Sequence, residues 1–517
     1  MGRPVWVSFA ASSVGEPLWF FSVVLCVKLL LIPSYRSTDF EVHRHWLALT
    51  SSLPLSRWYL DISSPWTLDY PPLFAYFSFL LSLPASLIDP TITDLIAGQN
   101  YSAPSAIVFL RLTVCAADLI LLLGVHRLTA RLPSLNRRVI LALVLWSPSL
   151  LIVDHIHFQY NGFLLGILLL SLSFLVEGSD LAGGIAFAVL ICSKHLFMVA
   201  APLYFVYLLR HYCNGGSARA MLRFSMMALA VGAVFVVTFG PFVYYSQIQK
   251  VFHRLFPFGR GLCHSYWAPN IWVFYIVVDK VLAFVLGQVG FNIQKPEASF
   301  TGGLVGESSP FAVLPQVNPI VTFSLVLVAM TPCLIKAFLK PQPKHIIRWV
   351  TYTFTCGFMF GWHVHEKASL HITIPLGILA ADSLDDAKHY FLLSIVSCYS
   401  MFPLLFEPRE YPIKVLLLSI HVLLMWSGFT SLFNTSVSKA EDKKKKKSLK
   451  ANSGLMGPVS TCYLIGLIVV EIWGQFLHSY VLGSKLPFLP LMMVSLFCAV
   501  GMLYSWVWQL RQIIRYT

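Results

Sequence analysis

The residues best suited to chemistry in this 517-residue chain lie between Thr38 and Pro72, where TDFEVHRHW leads through a mixed stretch to WTLDYPP. Asp39 and Glu41 stand two apart, followed by His43, Arg44 and His45. The segment follows directly on an apolar run, Trp19 to Ile32, so these groups sit just outside a membrane. A carboxylate there is partly desolvated, which raises its basicity and suits it to take a proton from a sugar hydroxyl. The same spacing also allows a structural carboxylate paired with Arg44. Asp69 precedes Tyr70-Pro71-Pro72. Proline favours the first turn of a helix, so Asp69 either caps the next helix or binds an acceptor, and the two are compatible.

Four further constellations carry polar groups between apolar runs. DHIHFQYN, residues 154–161, holds six hydrogen-bonding side chains in eight positions. Asp154, His157 and Gln159 suit contacts to sugar hydroxyls, and a self-satisfied polar turn would use the same residues. Lys194 and His195 interrupt the run from Leu181 to Leu209. A lysine at that depth costs roughly 2.5–3.5 kcal/mol, so it faces a cavity or a partner, or snorkels at a tight turn. The loop HRLFPFGRGLCHSYWAPN carries His253, Arg254, Arg260 and His264, cations fit for a phosphate or diphosphate. Its Tyr266 and Trp267, with Trp272 beyond, could stack on sugars or sit at headgroup level. WHVHEK places His365 and Lys367 where they could stabilise a phosphate leaving group, Glu366 between them. It is not HExxH, and no CxxC occurs, so no metal is expected.

The elements that position these groups follow from composition. The chain is 57% hydrophobic and 12% charged with mean hydropathy +0.72, against about 25% charge in a soluble chain. Repeated apolar runs of roughly 15–25 residues make it an all-α polytopic membrane protein. The net charge of +14 is explained by cytosolic loops and anionic substrate groups, without nucleic acid. Cys26, Cys115, Cys192, Cys356, Cys398 and Cys498 lie in apolar runs, as small hydrophobes do.

Basic loops at 127–138, 210–223, 336–348 and 439–450, the last with five consecutive lysines, orient the chain, as does the tail with Arg511 and Arg515. Placing all of them in the cytosol predicts about fourteen spans and both termini cytosolic. Expected spans lie near 15–33, 105–125, 139–153, 162–178, 181–193, 196–209, 224–244, 318–337, 349–362, 370–384, 389–405, 413–433, 459–477 and 487–509. Pro71–Ile88 and Ile271–Val289 then lie at the luminal interface without crossing. On this topology the polar clusters 35–104, 154–161, 194–195, 245–317 and 363–367 share the luminal side. The chain is one domain, with a first luminal loop at 35–104, a large one at 245–317 and a basic cytosolic loop at 434–457.

TDFEVHRHW, LDYPP, DHIHFQYNG, FPFGRGLCHSYWAPN and FGWHVHEK, in this order, resemble the endoplasmic-reticulum glucosyltransferases of lipid-linked oligosaccharide assembly. RGLCHSYWAPNIW and Lys194-His195 look more like the branch adding the second glucose than its sister adding the first. The resemblance runs end to end. It implies a GT-C fold with a luminal active site in the endoplasmic-reticulum membrane. It implies dolichyl phosphate glucose as donor and a dolichyl-diphosphate-linked oligosaccharide as acceptor. It implies an α-1,3 linkage made with inversion and no cofactor. Asp39 would then be the general base. Asp69, Glu41, Asp154, His157 and Gln159 would serve the acceptor, and Arg254, Arg260, His365 and Lys367 the donor phosphate. A lipid transporter and a non-catalytic scaffold stay open as other classes. A transporter should show paired broken helices, and a scaffold has no need of one-sided acids, histidines and arginines.

Overall fold

The computed structural model describes residues 15–264, 267–293, 311–438 and 454–516. The lysine run at 443–447 and Tyr266 lie outside the described residues. Helices carry the described chain, and its one β contact is an isolated bridge between Cys263 and Val364.

The chain opens with α1 (Gly15–Leu30) and turns into α2 (Thr38–Ser52). Ser37 starts α2 by accepting a hydrogen bond from the Asp39 N–H at 3.1 Å. Asp39 and Glu41 in its first turn complement the positive end of the helix dipole. The Pro71-Pro72 pair starts α3 (Pro72–Ile88). Asp69 makes no cap there: Pro71 holds the cap position and no side chain bonds the helix N-terminus. Next come α4 (Pro104–Ala117) and α5 (Leu119–Thr129), which together form one apolar stretch, Pro104–Thr129.

Eight helices among the described residues are long and apolar enough to cross a membrane. Several expected spans are shorter, including Asn161–Val176, Asp180–Ser193 and Leu370–Leu379. Length separates two roles. Ile346–Phe360, Leu370–Leu379 and Leu384–Ser400 are almost wholly buried and form the centre. Ser217–Tyr244, Pro319–Leu339 and Pro458–Ile472 turn most of their apolar side chains outward, as a lipid-facing shell must. Ile271–Gln288, expected at the interface, is itself long enough to cross. Its Asp279 accepts the N–H groups of Ala312, Val313 and Leu314 at 2.8–3.0 Å, which ties the helix midpoint to the approach to Pro319.

Two devices hold the first third of the bundle. Gly124 on α5 and Gly166 on Asn161–Val176 let the two backbones approach. A Cβ on Gly166 would meet the Leu121 nitrogen at 2.4 Å. Lys28 on α1 pairs with Asp118, the residue between α4 and α5, at 2.5 Å, and His155 Nε2 lies 2.8 Å from the same carboxyl oxygen. Buried charges persist only when partnered, so this triad pins three segments together. One of them is the π turn Leu151–Ile156, which lies across the boundary between the expected span 139–153 and the polar stretch 154–161.

Candidate active site

Two segments far from it in sequence converge on Asp39. Its Oδ2 accepts from Gln159 Nε2 at 2.6 Å and from Lys367 Nζ at 2.8 Å, and lies 3.2 Å from His157 Nε2. The first and third partners come from the turn after the π segment. Phe158 between them takes φ 83°, a conformation costly for an aromatic residue. Its ring is fully buried against Phe40, His43 and Tyr160, so packing stabilises the strained turn. His157 and Gln159 both reach Asp39 as a result. The His157 carbonyl also accepts the Ser37 hydroxyl, which clamps the turn to the start of α2.

The environment of Asp39 overturns the expectation of a strengthened base. Burial alone would raise its carboxyl, but Lys367 and His157 outweigh burial and hold it well below the usual carboxylate range. Burial, aided by Lys367, lowers His157, so a neutral imidazole donates its Nε2–H. Asp69 behaves oppositely. Burial pushes its carboxyl up to about 6, against Arg260, whose Nη2 lies 3.8 Å away, and the charge on Asp39 adds to the rise.

A second polar chain supports the turn. Lys194 Nζ donates to Asn161 Oδ1 at 2.9 Å, and Asn161 Nδ2 donates to Gln159 Oε1 and Asp154 Oδ1, both at 2.8 Å. Lys194 also stands 5.2 Å from the Tyr70 ring centre, and burial lowers it to about 8. Its aptitude for a cavity was legible, but its link to Asp39 through Asn161 and Gln159 was not.

Across the site, the Cys263–Val364 bridge and a bond from the His363 N–H to the Leu262 carbonyl at 2.9 Å join the two loops. The rings of His264 and His365 lie 3.7 Å apart between centres. Burial lowers both, His264 to about 3, leaving neutral N–H donors. Glu366 is buried, with neither carboxyl oxygen hydrogen-bonded among the described residues, and burial raises its carboxyl. His264, His365 and Glu366 bring ligand atoms within 4.8 Å of one another, a set invisible in the sequence spacing. With Lys367 and Arg260 acting electrostatically on the same residues, the surroundings suit an anion better than a cation.

The remaining candidates have structural partners. Glu41 pairs with Arg44 at 2.7 Å. Asp154 accepts from Asn161 and from the Gly162 N–H at 2.6 Å, so it holds the turn together. Arg254 Nη2 donates to the Asp61 carbonyl at 2.8 Å and braces the first loop. Trp267 and Trp272 are buried with Leu262, Val273 and Ile276 and have no free face for a sugar. Beside α2 opens a cavity of about 570 Å³ lined by Arg36, Glu41, Trp66, Asn100, Tyr101 and Arg409. Ser37, Thr38 and Phe40, which flank Asp39, form part of its wall.

A family model, the ALG6, ALG8 glycosyltransferase family, matches residues 24–509. The chain belongs to this family. It is a glycosyltransferase and a multi-pass membrane protein. An Arabidopsis thaliana relative, a dolichyl pyrophosphate Glc1Man9GlcNAc2 alpha-1,3-glucosyltransferase, is 62% identical over 96% of this chain and 97% of its own. A Bos taurus relative of the same name is 39% identical over 96% and 95%. A crystal structure of ArnT from Cupriavidus metallidurans, bound to undecaprenyl phosphate, aligns over 98% of this chain and 78% of its own. That alignment has 14% identity and a TM-score of 0.38. In this family member, the convergence on Asp39 joins segments 35–104, 154–161 and 363–367, while Asp69–Arg260 and His264–His365 draw in 245–317.

Proposed function

We propose that the chain transfers glucose from dolichyl phosphate glucose to a monoglucosylated dolichyl-diphosphate oligosaccharide. The new α-1,3 bond forms with inversion on the luminal face of the endoplasmic-reticulum membrane. The observation that carries this reading is the ring of donors on Asp39 beside a cationic and imidazole-rich wall. An inverting transfer needs one base for the acceptor hydroxyl and a site for the leaving phosphate on the opposite face, with no covalent sugar-enzyme intermediate. Asp39 supplies the base. Lys367, His365 and Arg260 supply charge and N–H donors where negative charge grows on the phosphate. Asp69 orients the acceptor sugar, and the 570 Å³ cavity, with Trp66 and Tyr101 in its wall, receives the acceptor glycan. His157 and Gln159 position Asp39, while Glu41, Asp154 and Arg254 maintain the frame.

Purified chain incubated with labelled dolichyl phosphate glucose tests this. Transfer to an acceptor bearing one glucose, and not to one bearing none, is the expected result. Preference for the unglucosylated acceptor would move the chain to the preceding step. Label crossing the membrane without transfer would make it a transporter.

A further inference from the structure

We propose that Lys367 couples the two substrates: it holds Asp39 until the donor's phosphate draws its ammonium away, so the base is released only in a donor-loaded site. This rests on the glucosyl-transfer reading above. All three described partners of Asp39 meet one atom, Oδ2, and Oδ1 takes none of the described hydrogen bonds. The two oxygens therefore have separate tasks, with Oδ2 anchored and Oδ1 facing the acceptor. The three partners also differ in kind. His157 and Gln159 are neutral and locked, one by the Ser37 clamp and the strained Phe158 turn, the other by Asn161. Lys367 alone among them is charged. Its ammonium is a point charge on a flexible stem, and its side chain keeps some exposure. Removing Lys367 from Oδ2 changes the basicity of Asp39 and leaves its orientation to His157 and Gln159.

The other groups acting electrostatically on Asp39 do not replace that charge. They are His43 from α2, Asp69 and Tyr70 before α3, Lys194 with its own Asn161 contact, His264 from the opposite loop, and His365 and Glu366 beside Lys367. His43, His264 and His365 are neutral by burial, and Asp69 and Glu366 are acids. A phosphate arriving against His264 and His365 is the stronger partner for a free ammonium. The exchange is balanced: the Nζ–H···Oδ2 bond breaks and an Nζ–H···O–P bond forms. Oδ1 then takes the proton of the acceptor hydroxyl as its oxygen bonds the glucose anomeric carbon. The bond from that carbon to the phosphate oxygen breaks, and its electron pair leaves on the phosphate beside Lys367.

The inference gives an effect of unusual sign. Asp39→Asn should tighten binding of a short-chain polyprenyl phosphate to the detergent-purified full chain, by about fivefold or more, because Lys367 is then held only by a neutral amide oxygen and detaches at less cost. In a Lys367→Met background the same change should do nothing. Unchanged or weaker binding by folded Asp39→Asn protein would overturn the inference. So would equal tightening in the Lys367→Met background, which would reduce the effect to bulk charge. Wild-type protein that bound no polyprenyl phosphate would sink the donor assignment itself, and this inference with it. A second readout needs no Asp39 variant. The acidic limb of kcat/KM for acceptor at saturating donor should lie at least about one pH unit above that of kcat/KM for donor, and Lys367→Met should merge the two. Coincident limbs in the wild type would overturn the coupling.

Discussion

Asp39 and Asp69 share one site and are driven apart by their neighbours. Lys367 and His157 overcome burial at Asp39, whereas burial dominates at Asp69. Divergent carboxyls of this kind mark different roles. Asp39→Asn keeps the shape of the side chain and its place among the donors, and removes its basicity. Glucose transfer should fall by about 10²–10⁴-fold in a single-turnover assay. Near-normal turnover would move the base to Asp69. That residue allows a separate test through stability. Its folded-state carboxyl, at about 6, lies above the ordinary value near 3.8, so the folded protein holds that proton more tightly than the unfolded chain. Asp69 therefore costs stability above pH 6, and the cost fades as pH falls towards 4. Asp69→Asn should melt at a higher temperature than wild type at pH 7.5, with the gap closing as pH is lowered through that window. A gap independent of pH would show that Asp69 is not held in its unfavourable charged form.

At the scale of elements, the site depends on the turn at 151–162 being irregular. The π turn, the positive φ of Phe158 and the bare Gly162 together bring His157 and Gln159 to Asp39. A Cβ on Gly162 would stand 1.9 Å from Asp118 Oδ1, and that carboxylate cannot yield without breaking with Lys28 and His155. Gly162→Ala should therefore destabilise the protein by about 1–3 kcal/mol and lower transfer, read as a drop in melting temperature and kcat together. Wild-type melting in that variant would mean the Asp118 cluster is loose. Little of this was legible beforehand. The polar density of 154–161 was visible, but a π turn leaves the hydrophobic pattern nearly unchanged, and no local signal reports φ at Phe158. Arg254 and Arg260 look alike in sequence, both basic in one loop. Only packing shows that Arg254 braces Asp61 while Arg260 faces Asp69. Trp267 and Trp272 mislead for a similar reason: an aromatic beside a membrane surface reads as a sugar platform until its burial is known.

For the whole molecule, hydropathy and charge gave the class, an all-helical multi-pass membrane protein, while helix length alone does not count the crossings. Central helices such as Leu370–Leu379 need not span the hydrocarbon alone, because neighbouring protein satisfies their ends. Length therefore fails as a counter where helices bury one another. The sidedness of polar groups does not depend on that count. Charge bias put five clusters on one side, and the fold brings residues from all five into the network around Asp39, Lys194 and His365. Sidedness can be tested directly at the loop between α3 and α4, on which the placement of Asp39 depends. Ile96 is highly exposed there, close to the Asn100-Tyr101-Ser102 sequon. Ile96→Cys in a background stripped of the exposed Cys26 and Cys462 should react with an impermeant maleimide only after the lumen of sealed microsomes is opened. Asn434, in the sequon beside the lysine run, should stay unglycosylated in the same preparation. Arg44, just beyond Asp39, bonds the carbonyls of Ile92 and Asp94 at 3.0 and 3.2 Å, so labelling of Ile96→Cys in intact microsomes would put Asp39 on the cytosolic side together with the 96–100 loop. That contact sets α2 and the loop on the same side, so luminal labelling at residue 96 is the outcome required of any molecule in which Asp39 serves a luminal substrate.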